Sequence, residues 1–134
     1  MSQYVDASAL VKRYIDERDT AEAIAILDAE PVWVTARHTY VEVTRALAST
    51  TTARGLAGAR AAFEHDWSGI AIVELDVAVC ARAAELALML EVRTLDALHL
   101  GAAERVGGAT VPFVTFDRRL AAAARRLGWT VLGD

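Results

Sequence analysis

The chain has 134 residues, 54% hydrophobic and 24% charged, with a formal net charge of -4 and one cysteine, Cys80. That length and balance suit one globular domain that buries a continuous core, and no Ser/Pro/Gln-rich or Gly-rich stretch marks a disordered tail. A lone cysteine excludes an internal disulfide and a cysteine-based zinc site, and the acidic balance argues against a broadly basic nucleic-acid surface.

Lys plus Arg number 14 against 18 Asp plus Glu, so four acids engaged with cations would leave the rest of the chain in balance. The basic residues are arginines except Lys12. Arginine forks suit bidentate phosphate contacts, and a GC-rich genome yields the same bias. The N-terminus has no basic stretch leading into an apolar run, and the most apolar region, residues 70–92, is broken by Glu74, Asp76, Arg82, Glu85 and Glu91. The expectation is a cytoplasmic protein without a membrane segment.

Gln3-Tyr4-Val5 reads as the first strand, delivering Asp6 to the start of a helix at Ala7-Ser8-Ala9-Leu10-Val11-Lys12. Open parallel sheets bind ligands at the carboxyl ends of their strands, so Asp6 is placed for chemistry. Leu10, Tyr14 and Ile15 form a short amphipathic turn before the polar break Asp16-Glu17-Arg18-Asp19. Thr20 is expected to cap a second helix with Ala23, Ile24 and Leu27 as its buried stripe, which Pro31 ends. Val32-Trp33-Val34-Thr35 is the second strand.

A helix over residues 37–49 carries Tyr40, Val43 and Leu47 on one face, with His38, Glu42, Arg45 and Ser49 opposite. Arg45 offers Glu42 an i+3 partner, and that pairing would make Glu42 an ordinary solvated acid. The next helix has Leu56, Ala59, Phe63 and Trp67 at core spacing. Ile70-Ala71-Ile72-Val73 then reads as a strand buried on both faces, and Asp76 as the cap of a largely buried helix over residues 77–91. From Thr94, a candidate cap, a helix directs Leu95, Leu98, Ala102 and Val106 inward, while Asp96, His99 and Ala103 share another face. An acid in a first helical turn also complements the helix dipole with no other duty.

Gly107-Gly108 breaks that helix, and Val111-Pro112-Phe113-Val114-Thr115 is the fourth strand, delivering Asp117 as cap of an Ala-rich helix over residues 118–127. Gly128 ends it, and Trp129-Thr130-Val131-Leu132 is a last strand. Strands alternating with helices give the α/β class, a parallel sheet with helices on both faces. If the first and fourth strands are neighbours, Asp6 and Asp117 face one another across the crevice. Acids drawn together repel unless a cation neutralises them, and a hard divalent ion such as Mg2+, with its preference for oxygen ligands, does so. The histidines are His38, His65 and His99, with no His-x-x-x-His pair, which disfavours zinc; His99 reads as a hydrogen-bonded packing residue within reach of Asp96.

Four blocks carry a family resemblance across essentially the whole chain. They are Tyr4-Val5-Asp6-Ala7-Ser8-Ala9-Leu10-Val11-Lys12, Glu42 with Arg45-Ala46-Leu47, Arg93-Thr94-Leu95-Asp96-Ala97-Leu98-His99-Leu100, and Phe113-Val114-Thr115-Phe116-Asp117-Arg118-Arg119-Leu120. In order and spacing they resemble a PIN-domain ribonuclease of the VapC toxin type, from type II toxin-antitoxin systems. The resemblance implies a three-layer α/β/α domain over residues 1–134 with strand order 3-2-1-4-5, which also brings Asp96 over the sheet edge. It implies that Asp6, Glu42, Asp96 and Asp117 are the metal-binding and catalytic carboxylates, with Thr115 and Ser8 as polar neighbours of the site. It further implies Mg2+-dependent endonucleolytic RNA cleavage, Mn2+ as a substitute, a homodimer, and neutralisation by a VapB-type antitoxin laid across the acidic site. Phe63, Trp67 or the Ala-rich surfaces are candidate dimer contacts.

Two other readings compete. A phosphatase with Asp6 as nucleophile would want an acid two residues on, where Ser8 stands. A non-catalytic PIN-like or receiver-like Mg2+-binding module would keep the acids without cleavage, but a receiver also needs a late lysine, and Lys12 is early.

Overall fold

Short β-branched and aromatic runs separated by amphipathic helices leave no room for hairpins, so the strands must pair through helical crossovers. In the computed structural model, which describes residues 1–134, the strands are β1 (Ser2–Val5), β2 (Val32–Ala36), β3 (Ala71–Val73), β4 (Phe113–Thr115) and β5 (Val131–Gly133). They form one sheet in the order β3-β2-β1-β4-β5, parallel throughout. The helices are α1 (Ala7–Leu10), α2 (Thr20–Asp28), α3 (Thr39–Thr50), α4 (Ala53–Trp67), α5 (Val77–Leu90), α6 (Thr94–Arg105) and α7 (Arg118–Arg126). The three layers and strand order implied by the resemblance are those observed.

Strand alternation divides the core between the two faces of the sheet. Tyr4 and Phe113 pack with Leu86, Leu100, Leu120 and Trp129 on the α5/α6/α7 side. Val5 and Val114 pack with Leu10, Leu27, Val43, Leu47 and Phe63 on the α1–α4 side. The β1–β4 register sets Tyr4 beside Phe113 and Val5 beside Val114, so Asp6 and Thr115 leave the sheet together at its carboxyl edge. At the far edge Gly133 adopts φ +106°, and a Cβ there would lie 2.2 Å from the Thr115 carbonyl oxygen. Only glycine lets β5 approach the strand end that carries Thr115.

Several expectations are corrected. β3 lies at the edge of the sheet beside β2 alone: Val73 is buried on the α5/α6/α7 side and Ile72 packs on the α1–α4 side, so both faces are covered as expected, but Ala71 is exposed. α5 buries Val79, Ala83, Leu86 and Leu90 but exposes Val77 and Leu88, since one stripe suffices to meet α6. α6 turns its Asp96/His99/Ala103 face inward and leaves Leu95 exposed: His99 finds hydrogen-bond partners inside, and Gly101 lets the helix approach α5 closely, its added Cβ falling 3.1 Å from the Val79 carbonyl. Arg93, not Thr94, is the α6 N-cap. Asp19 precedes α2, while the Thr20 hydroxyl bonds to the Glu17 N–H and the Ile15 carbonyl in the preceding turn. Trp129 is a buried core residue ahead of the last strand. Asp76 and Asp117 cap α5 and α7 as expected.

Candidate metal centre

Asp6 ends β1 and caps α1, accepting the Ala9 N–H at 3.0 Å. Two hydroxyls add to this cradle: Ser8 Oγ donates to Oδ1 at 2.8 Å and Thr115 Oγ1 donates to Oδ2 at 2.5 Å. The same hydroxyls accept backbone N–H groups from the β4 exit, Phe116 to Ser8 at 2.8 Å and Asp117 to Thr115 at 3.0 Å. Ser8 and Thr115 therefore stitch the ends of β1 and β4 together around one carboxylate. Asp6 is only 2% exposed. Burial pushes its carboxyl above the ordinary aspartate range, opposed by nearby His99 and by the bonds from Thr115, Ala9 and Ser8.

Asp117 caps α7 through Oδ1, which accepts the N–H groups of Arg119 at 2.9 Å and Leu120 at 3.1 Å. Asp96 projects from the first turn of α6. Its carboxyl is also raised, first by burial and then by Asp117, with Glu42 adding to the effect and Arg93 and His99 opposing it. Asp96 thus sits in the combined field of two other candidate acids.

Glu42 does not take the role of a solvated helix acid. Arg45 is exposed and makes no ion pair with it; instead His99 Nε2 lies 2.7 Å from Glu42 Oε1. His38 Nε2 is 3.5 Å from the same oxygen. His99 is buried, with Nδ1 2.7 Å from the Tyr4 hydroxyl, and its ring lies 4.2 Å from that of His38. Burial, then His99, pushes the His38 pKa down to about 4, against the opposing pull of Glu42 and the Leu95 carbonyl. Tyr4 is held well above the ordinary phenol range by burial and by nearby Asp6, so its hydroxyl stays protonated.

No lysine or arginine comes within ion-pair distance of Asp6, Glu42 or Asp117, and Asp96 has only Arg93 at 3.8 Å. Acidic oxygen donors with raised carboxyls, as at Asp6 and at Asp96 beside Asp117 and Glu42, fit a hard divalent cation by donor chemistry. The group that the structure gathers with ligand atoms within 4.8 Å of one another is His38, Glu42 and His99 rather than the four acids, a nitrogen and oxygen set that sequence spacing missed because it spans α6 and the residues opening α3. It fits a metal less well, since Tyr4 and Glu42 already engage both ring nitrogens of His99.

Residues 3–126 match the PIN domain family. The chain is 35% identical to Ribonuclease VapC45 of Mycobacterium tuberculosis over 96% of its own length and 92% of that protein's. The chain belongs to the PIN-domain family, among the VapC ribonucleases. Its fold is that of solved VapC proteins: the Mycobacterium tuberculosis toxin VapC20, described as cleaving the sarcin-ricin loop, superposes with a TM-score of 0.73 at 17% identity, covering 92% of this chain and 95% of that one. VapBC2 from Rickettsia felis, bound to a DNA fragment from its promoter, gives a TM-score of 0.70 at 12% identity, covering 100% of this chain and 99% of that one.

Sequence reasoning carried Asp6 and Asp117 to this edge from their strand-end positions, and the family resemblance added Glu42, Asp96, Thr115 and Ser8. It missed Tyr4 and His38 as members of the site and left His99 as a packing residue. The available signal was the helical spacing of three between Asp96 and His99, which puts both on one face of α6.

Proposed function

We propose that this VapC-family protein is the toxin of a toxin-antitoxin pair, a divalent-metal-dependent endoribonuclease acting in the cytoplasm. The observation that carries this reading is the buried Asp6 carboxylate, cradled by Ser8 and Thr115 between β1 and β4 with no lysine or arginine paired to it. Asp6, Asp96 and Asp117, with Glu42 at the rim, would hold Mg2+ or Mn2+. Such an ion, when bound, polarises a phosphodiester and stabilises the leaving oxygen. Asp96, whose carboxyl burial and Asp117 push upward, is the group suited to take a proton from the attacking water. Ser8 and Thr115 keep the Asp6 oxygens oriented while charge changes around them.

The same uncompensated charge attracts an arginine-bearing segment of a VapB-type antitoxin, the kind of assembly the VapBC2 structure represents. No helix is long and apolar enough to cross a membrane. For a homodimer the candidate surface is the groove of about 530 Å³ between α5 and α6, lined by Cys80, Ala83, Ala87, Leu88 and Leu98. Leu88 is 84% exposed, whereas Phe63, an earlier candidate for that contact, is in the core.

The test is cleavage of total RNA by antitoxin-free protein with Mg2+ or Mn2+, then with excess EDTA, beside folded Asp6→Asn and Asp96→Asn. Metal-dependent cleavage lost in both variants supports the reading. Cleavage that survives EDTA overturns the metal dependence, and a parent that leaves RNA intact returns the chain to a binding module.

A further inference from the structure

Glu42 differs from its fellow acids in how it is held. Asp6 and Asp117 are pinned by N–H groups of the helices they cap. Glu42 lies within α3, has the longer and more mobile side chain, and is 25% exposed. Its one short hydrogen bond is the 2.7 Å contact with His99 Nε2, since His38 at 3.5 Å is beyond good hydrogen-bond range.

Proton inventory fixes the direction of that bond. An ionised carboxylate only accepts, so His99 Nε2 carries the hydrogen. In the neutral ring Nδ1 then holds a lone pair, and it faces the Tyr4 hydroxyl at 2.7 Å, which donates to it. Tyr4 therefore accommodates the tautomer that serves Glu42, its hydroxyl donating to the other ring nitrogen. Tyr4 is itself fixed, 1% exposed and stacked on Phe113 with ring centroids 5.3 Å apart. The chain of bonds runs from β1 through α6 to α3, and α6 also carries Asp96.

We infer that His99 is a positioning residue: its Nε2–H, with Nδ1 held by the Tyr4 hydroxyl, holds the Glu42 carboxylate at the metal centre. The inference rests on the proposed metal-nuclease reading and assigns a duty to a histidine that neither caps a helix nor belongs to the carboxylate set. Partners that orient metal ligands in this way commonly change metal affinity by about 10–100-fold when removed.

The experiment is a Mn2+ titration followed by the electron paramagnetic resonance signal of the free ion, with RNA cleavage measured in parallel. It compares the parent with His99→Leu, His99→Gln, Glu42→Gln, the His99→Leu/Glu42→Gln double variant and Tyr4→Phe. His99→Leu is expected to weaken Mn2+ binding about tenfold. His99→Gln, whose amide N–H stands near the position of the ring Nε2–H, recovers most of it. In the Glu42→Gln background His99→Leu changes affinity by less than about twofold, because the group it positions is already altered. Equal losses with and without the Glu42 carboxylate overturn the inference in favour of a purely structural histidine, as does a His99→Leu protein that binds Mn2+ like the parent. Should His99→Leu fail to fold, Tyr4→Phe decides, since it keeps the aromatic ring and removes only the hydroxyl; weakened binding supports the inference and parental affinity overturns it. A parent that binds no Mn2+ fails the metal reading itself, whereas a parent that binds it with His99→Leu unchanged fails this inference alone.

Discussion

Thr115 is the hinge of the site at the scale of single residues. Its hydroxyl donates to Asp6 and accepts from the Asp117 backbone, so one atom sets the relation between two carboxylates. Thr115→Val keeps the shape and removes both bonds, leaving a buried carboxylate short of a donor and an N–H short of an acceptor. The expected cost is about 1–3 kcal/mol in a urea melt, together with a clear loss of RNA cleavage. Ser8→Ala also removes a donor from Asp6 and should lower activity in the same direction. Asp6 and Asp117 were legible in sequence because each follows a strand, a position with a local signature, whereas Glu42, inside α3, and the place of Asp96 over the edge came only with the family resemblance. Tyr4 was legible only as a strand residue, since its hydroxyl finds His99 across 95 positions of sequence and no local pattern encodes that pairing.

Among elements, the α5–α6 pair shows what periodicity can and cannot convey. Residues 77–91 read as buried nearly all round because alanine counts as apolar at every position, yet alanine side chains bury little area and one stripe makes the contact. The controlling residue is Gly101, where an added Cβ would also lie 3.2 Å from the Ala83 side chain and 3.3 Å from its backbone nitrogen. Gly101→Val should push α6 away from α5, lower the melting temperature, and weaken metal binding by moving Asp96 and His99 together. Asp76→Ala provides the contrast. It removes the α5 cap, a 2.9 Å bond to Val79 N–H, and the exposed Arg105 pair, with a small expected drop in melting temperature and cleavage intact in the folded fraction. Loss of cleavage in folded Asp76→Ala would show that this cap belongs to the site and not to the scaffold alone.

Across the whole molecule, strand alternation and helix spacing established the α/β class, but the strand order rested on a family resemblance. Order depends on which strands exchange backbone bonds, and those bonds leave no mark on side-chain type. The order puts β1 beside β4 and so collects negative charge at one edge, with a consequence for stability. Asp6 and Asp96 have raised carboxyls in the fold, so the native state holds more protons than the unfolded chain between their unfolded values and the raised ones. Stability must therefore fall as pH rises through that window and remain lower above it. His38, pushed down to about 4, works in the opposite sense between that value and its unfolded pKa of about 6.5. The informative quantity is thus the difference between the parent and Asp6→Asn. Without divalent ions, the variant should gain in relative melting temperature as pH rises toward neutrality. Added Mn2+ should raise the melting temperature of the parent more than that of the variant.

Whether these carboxylates form one divalent-cation site is decided by anomalous diffraction from a Mn2+-soaked crystal. A manganese peak is expected between Asp6, Asp96 and Asp117, with the Glu42 carboxylate facing it while bonded to His99. A peak confined to His38 and His99, or none among the aspartates at saturating Mn2+, would contradict it.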